Sequence, residues 1–272
     1  MKFETLEISL NQRVAVIWLA REAVRNAFNE VLIAELTAAF NQFGHDDEVR
    51  VIVLAARGKA FCAGADLDWM RRMAGYSNAE NQADAMKLAT MLQTIYECPK
   101  PVIARVHGDA YAGGVGLVAA CDISVASLNA NFCLSETKLG LIPATIGPYV
   151  LRAMSAHVAR RYFLTAEKFT AAEALRIGLV HETTSADELD SKVNEILGAL
   201  MLTSRSAVTE AKRLVRDFTA RPIDDALVAD TARRIADIRT TPDGREGVRS
   251  FLEKRKPQWV IDYEALTAAE GE

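Results

Sequence analysis

The hydrophobic period of the chain changes once, near residue 185, and that change limits the fold more than any other feature of the sequence. Before it, short β-branched runs alternate with stretches whose apolar positions recur at three and four. Arg13–Leu19, Val49–Ala55, Pro101–Val106 and Asp122–Ala126 read as strands, the first apolar at nearly every position, as a strand covered on both faces is. Between them, Asn29–Phe43 places Val31, Leu32, Leu36, Ala39, Phe40 and Phe43 on one helical face. Asn78–Tyr96 does the same with Met86, Leu88, Met91, Leu92 and Ile95. Beyond residue 185 only helical patterns occur: Ala186–Leu202, Ser206–Phe218, Ile223–Ile238 and Gly244–Lys254, punctuated by Pro222, Pro242 and Pro257. The expected architecture is α/β, with a core over 1–185 and an α-helical region over 186–272.

Half of the 272 residues are apolar and a quarter charged, enough for a sizeable core and too hydrophobic for disorder. The longest uncharged runs, Ile123–Ser135 and Leu139–Leu151, fall short of the roughly 20 apolar residues a bilayer needs, so no membrane span is expected. Met1–Glu7 is acidic without an apolar stretch, so no secretory signal is expected either. Cys62, Cys98, Cys121 and Cys133 have neither metal-ligand spacing nor the density of a disulfide framework, which points to a reducing cytoplasm. The net charge of −4 argues against a nucleic-acid partner. Charge is nevertheless uneven: residues 201–260 carry 13 Lys+Arg against 9 Asp+Glu, and residues 1–200 carry 19 against 23. The basic segment suits a phosphate-bearing ligand or a neighbouring subunit, or is simply a solvated helical face.

Several chemistries are missing their residues. No Gly-x-Gly-x-x-Gly follows the first strand, no Walker A sequence occurs, and no Gly-x-Ser-x-Gly elbow is present. His45, His107, His157 and His181 have no zinc spacing, so no metal is expected. What remains is a pair of small-residue turns, each after a strand and before a helix. The first is Gly58-Lys59-Ala60-Phe61-Cys62-Ala63-Gly64-Ala65-Asp66-Leu67, where Asp66 is placed to cap the following helix. The second is His107-Gly108-Asp109-Ala110-Tyr111-Ala112-Gly113-Gly114-Val115-Gly116-Leu117. Free amides at such turns face outward, and one from each can form an oxyanion hole.

The order of these turns, followed by Cys121-Asp122 and then Leu134-Ser135-Glu136-Thr137-Lys138-Leu139-Gly140-Leu141-Ile142-Pro143, resembles the enoyl-CoA hydratase/isomerase (crotonase) superfamily. The resemblance runs from Phe3 to about Trp259, through Ala171-Ala172-Glu173-Ala174 and Phe251-Leu252-Glu253-Lys254-Arg255. It implies a spiral of ββα repeats with a C-terminal α-helical oligomerisation region, assembled as a homotrimer or a dimer of trimers. It further implies an acyl-CoA thioester as substrate, with no cofactor beyond that coenzyme A. The amides matching Ala65 and Gly113 would hold the thioester oxygen. Ala63, Asp66, Leu67 and Asp68 would line the coenzyme A, with Arg25 and Ala27 nearby and Phe251 and Lys254 reaching it from the C-terminal helix. Leu117 and Pro143 would border the acyl group.

The acid–base residues depart from the two-glutamate pattern of typical family hydratases. One carboxylate matches Glu136; the other falls on Gly116, which has no side chain. Three readings follow. In the first, Glu136 alone serves a hydratase, with space at Gly116 admitting a bulkier or carboxylated acyl group. The motif here resembles bacterial methylglutaconyl-CoA hydratases and relatives acting on isohexenylglutaconyl-CoA. In the second, one carboxylate moves a proton in a Δ3-Δ2 enoyl-CoA isomerase. In the third, the chain binds acyl-CoA without catalysis. Trp69–Asp84 reads either as a flap over the acyl pocket or as an ordinary surface helix, and Arg71 or Arg72 is a candidate partner for a distal substrate carboxylate.

Overall fold

Six strands form the larger sheet of the computed structural model, which describes residues 2–219 and 221–261. In chain order the elements are β1 (Leu6–Asn11), β2 (Val14–Leu19), α1 (Glu30–His45), β3 (Val51–Ala56), α2 (Leu67–Met73), α3 (Asn78–Glu97) and β4 (Val102–Val106). There follow β5 (Ala110–Tyr111), α4 (Gly113–Ala120), β6 (Ile123–Ser127), β7 (Asn131–Cys133), α5 (Gly147–Met154), α6 (Ala156–Thr165), β8 (Lys168–Thr170), α7 (Ala171–Arg176) and β9 (Glu182–Thr184). Four helices close the described chain: α8 (Leu189–Met201), α9 (Arg205–Phe218), α10 (Asp225–Thr240) and α11 (Pro242–Leu252). The large sheet runs β1-β2-β3-β4-β6-β9, antiparallel at β1–β2 and parallel elsewhere; the small one runs β5-β7-β8.

The parallel register has a direct cause in the sequence. All six residues of β3 are buried, as expected of a parallel strand covered on both faces, which needs no polar face. On β2 the side chains of Ala15, Ile17 and Leu19 are fully buried, and the Arg57 guanidinium covers the Trp18 ring at 3.9 Å from its centroid. α1 starts at Asn29, whose side chain accepts from the Leu32 amide, and it buries Leu32, Leu36, Ala39, Phe40 and Phe43. α3 opens on a capping box between Ser77 and Glu80 and buries Met91, Leu92 and Ile95. β1 carries the alternation Leu6, Ile8, Leu10 and hairpins onto β2 through Gln12 and Arg13, both at positive φ (47° and 68°).

The described residues fall into two compact units, one within 1–98 and 102–194, the other made of 99–101 and residues from 195 onward. The division lies inside α8, beyond the change of hydrophobic period near residue 185. Residues 262–272 of the expected C-terminal region lie outside the described residues. Among the described residues no helix is long and apolar enough to cross a membrane, and no cluster of His, Cys, Asp and Glu is built to hold a metal.

One buried amide fixes the loop between β2 and α1. Asn26 is fully buried, accepts from the Arg21 amide at 2.8 Å, and donates to the carbonyls of Arg57 (2.8 Å) and Ala60 (2.9 Å). Asn26→Ala leaves three backbone groups unmet, and a loss of about 2–3 kcal/mol in urea denaturation is expected.

Candidate active site

The two small-residue turns are joined backbone to backbone. The amides of Phe61 and Cys62 donate to the Asp109 carbonyl at 3.0 and 3.1 Å, and the Tyr111 amide donates to the Cys62 carbonyl at 2.9 Å. Glycine is what allows this approach. A Cβ on Gly108 would lie 2.6 Å from the Lys59 carbonyl oxygen, and one on Gly114 would lie 2.6 Å from that of Cys62. Cys62 is enclosed in the junction, where burial pushes its thiol up to about 12 and makes it inert.

This packing leaves two N–H groups free. Phe28 bridges to Ala65: its amide donates to the Gly64 carbonyl (2.7 Å) and its carbonyl accepts from the Asp66 amide (2.8 Å). Successive amides of an extended segment alternate in direction, so the Ala65 N–H points away from that pairing. In the second turn, Ala112 is held at φ 47° while its amide donates to the Cys133 carbonyl at 2.8 Å. α4 then begins at Gly113, whose N–H has no carbonyl one turn behind it. Ala65, Ala112 and Gly113 all line one cavity of about 340 Å³.

Glu136 lines the same cavity from the 3-10 turn Glu136–Leu139, which closes on Gly140 in the left-handed region at φ 73°. Its Oε2 is buried without a hydrogen-bond partner, and burial raises its pKa above the ordinary carboxylate value of 4.5 against a smaller opposing bond from its own amide. Phe28, Met73, Leu88, Ile142 and Ile146 are apolar lining residues, and Trp69, Asn81, Asp84 and Thr145 are lining residues that carry a polar group. No Lys, Arg or His lines the cavity among the described residues.

The other expected residues fall into three groups. Arg25, Ala27, Ala63, Asp66, Leu67 and Asp68 cluster beside Ala65, since the Ala63 amide donates to the Arg25 carbonyl at 3.0 Å and Arg21 Nη1 donates to the Ala27 carbonyl. Within that group the Asp66 carboxylate is committed to the fold: it caps α2 through the amides of Asp68 and Trp69 and pairs with Arg21 at 3.0 Å. Burial alone would raise its pKa, but these bonds outweigh burial and hold it below the usual range. Asp68 pairs with Arg71, and Leu67 is exposed. Pro143 lines the cavity. Phe251 and Lys254 belong to the second unit, at the end of α11 and just past it.

Two expectations are corrected. Gly116 opens no space: Ile146 occupies it, so that a Cβ on Gly116 would lie 2.2 Å from Ile146 Cγ2, and neither Gly116 nor the buried Leu117 lines the cavity. Arg71 and Arg72 do not face the cavity either, because Arg71 pairs with Asp68 and Arg72 pairs with Glu30 through both carboxylate oxygens. The residues of Trp69–Asp84 that line it are instead Trp69, Met73, Asn81 and Asp84. Asn81, Asp84, Ala85 and Leu88 share one face of α3.

The sequence profile of the enoyl-CoA hydratase/isomerase family matches residues 9–261. The chain belongs to this family. It is 30% identical to a crotonyl-CoA hydratase of Syntrophomonas wolfei, with 96% of this chain and 99% of the relative covered. Among solved structures, an enoyl-CoA hydratase from Shewanella pealeana superposes with a TM-score of 0.92 at 41% identity, covering 95% of this chain and 97% of that one. Pseudomonas aeruginosa AtuE superposes with a TM-score of 0.90 at 34% identity, covering 95% and 100%. The mixed α/β core with its helical C-terminal region is the family's fold.

The Ile146 plug gives a test. Gly116→Ala is expected to overpack the site and cost about 1–3 kcal/mol in urea denaturation. Adding Ile146→Ala should recover part of that loss, a coupling that a double-mutant cycle reads directly.

Proposed function

We propose that the chain is an enoyl-CoA hydratase that adds water reversibly across the C2–C3 double bond of an acyl-CoA thioester. The observation that carries this reading is a buried, unpartnered carboxyl oxygen on the wall of a cavity that also holds two free amides of separate turns. In this reading the Ala65 and Gly113 amides bind the thioester oxygen and stabilise the enolate as negative charge develops there. Glu136 takes a proton from water as its oxygen bonds to C3, and returns a proton to C2. Gly116 contributes no proton transfer. Ala63, Asp66, Leu67 and Asp68, with Arg25 and Ala27, are assigned to the coenzyme A side through their backbone. No cofactor is needed beyond the coenzyme A of the substrate.

The acyl group is proposed to be branched or carboxylated, as in methylglutaconyl-CoA. The motif Gly113-Gly114-Val115-Gly116-Leu117 with Leu134-Ser135-Glu136 supports this, and Pro143 borders the acyl end. A homotrimer or dimer of trimers is proposed for the C-terminal region, with Phe251 and Lys254 completing the coenzyme A site. Exposed Val248, Phe251 and Leu252 support an unmet interface there. A cytoplasmic setting belongs to the same proposal.

Purified protein given methylglutaconyl-CoA, crotonyl-CoA and a 3-enoyl-CoA separately should gain the mass of water on the first, faster than on the second. Growth of conjugated-enoyl absorbance on the third without mass change would replace the hydratase with a Δ3-Δ2 isomerase; binding without turnover on all three would make it an acyl-CoA-binding protein.

Glu136→Gln should abolish turnover and keep acyl-CoA binding. Its effect on stability has a defined sign. Because burial raises the folded carboxyl above 4.5, the folded chain keeps this proton where the unfolded chain has lost it. Stability thus falls as pH rises from near that value through the raised one, and the ionised form bears the cost at neutral pH. The Gln variant should match the parent below about pH 4 and exceed it at pH 7 in urea midpoint.

A further inference from the structure

We infer that Trp69 is a specificity-determining residue, its indole N–H pairing with an oxygen carried by the acyl group beyond the reacting carbons. The inference rests on the acyl-CoA reading above. Trp69 is only 4% exposed, lines the cavity on the first turn of α2, and has its Nε1 buried with no acceptor. A buried donor left unmet destabilises the empty protein, and a ligand oxygen that satisfies it is favoured over a hydrocarbon that does not. The surrounding wall leaves few other partners for such an oxygen. Phe28, Met73, Leu88, Ile142 and Ile146 are apolar, and no cation lines the cavity among the described residues. An oxygen-bearing acyl end is therefore met by neutral donors, Trp69 first, with Asn81 and Thr145 on the same cavity. Met73, one turn further along α2, lines the same cavity with a flexible thioether.

The oxygen belongs to a terminal carboxylate or to an uncharged carbonyl; both accept from an indole, and Asp84 on the same wall disfavours the first. Three β-methyl enoyl-CoA substrates separate these sources: methylglutaconyl-CoA, its terminal methyl ester, and 3-methylcrotonyl-CoA, which lacks the distal oxygen. Trp69→Phe keeps an aromatic ring, smaller than the indole, and removes the donor. Its kcat/KM should fall on the order of 10- to 100-fold on whichever oxygen-bearing substrate the parent prefers, and stay within about twofold on 3-methylcrotonyl-CoA. Preference for the acid identifies the carboxylate, and preference for the ester identifies the carbonyl. An equal fall on all three substrates, no fall on any, or a parent that favours 3-methylcrotonyl-CoA overturns the role of Trp69. A parent that hydrates none of these three and not crotonyl-CoA either overturns the hydratase reading itself.

Discussion

Everything in the cavity depends on how closely two stretches of backbone approach each other. The turn ending at Asp66 and the turn ending at Gly113 meet through amide–carbonyl bonds at Phe61, Cys62 and Tyr111, with no side chain between them. Gly108 and Gly114 sit against carbonyl oxygens, which cannot move aside as a flexible side chain can. The same contact orients the Ala65 amide and starts α4 at Gly113, so packing and site geometry are one constraint. Ala112, held in a left-handed conformation between them, is the local strain that this junction sustains.

The electrostatics of the cavity follow from what surrounds it. Glu136 stands on a wall without cations, so burial dominates and favours its protonated form. A carboxyl whose pKa is moved toward neutrality exchanges a proton more readily in both directions, which suits a single group asked to give and take. Asp66, nearby in sequence to Ala65, shows the opposite outcome: Arg21 and two helix amides keep its charge, and it holds the fold. Ile146 packs over Gly116, so the cavity is bordered by hydrocarbon there.

Much of this was legible in the residues. Repeating apolar spacings marked α1 and α3, and β-branched runs marked β2, β3, β4 and β6 within one or two residues of their ends. β1 was missed although it alternates Leu6, Ile8 and Leu10, because an edge strand half open to solvent gives a weak signal. β5, β7, β8 and β9 are two or three residues long, too short for any period to register.

The sequence by itself determined the alternation of strands and helices, the two small-residue turns, the family they resemble, and Glu136 as a candidate carboxylate. These are local facts, written in spacing and residue type. Tertiary structure alone decided that Ile146 closes the gap at Gly116, that Arg71 and Arg72 are tied to Asp68 and Glu30, and that Trp69 presents an unmet N–H beside Glu136's cavity. Each of these depends on which distant segments share a volume, and a missing side chain is an opening only if no neighbour has already filled it.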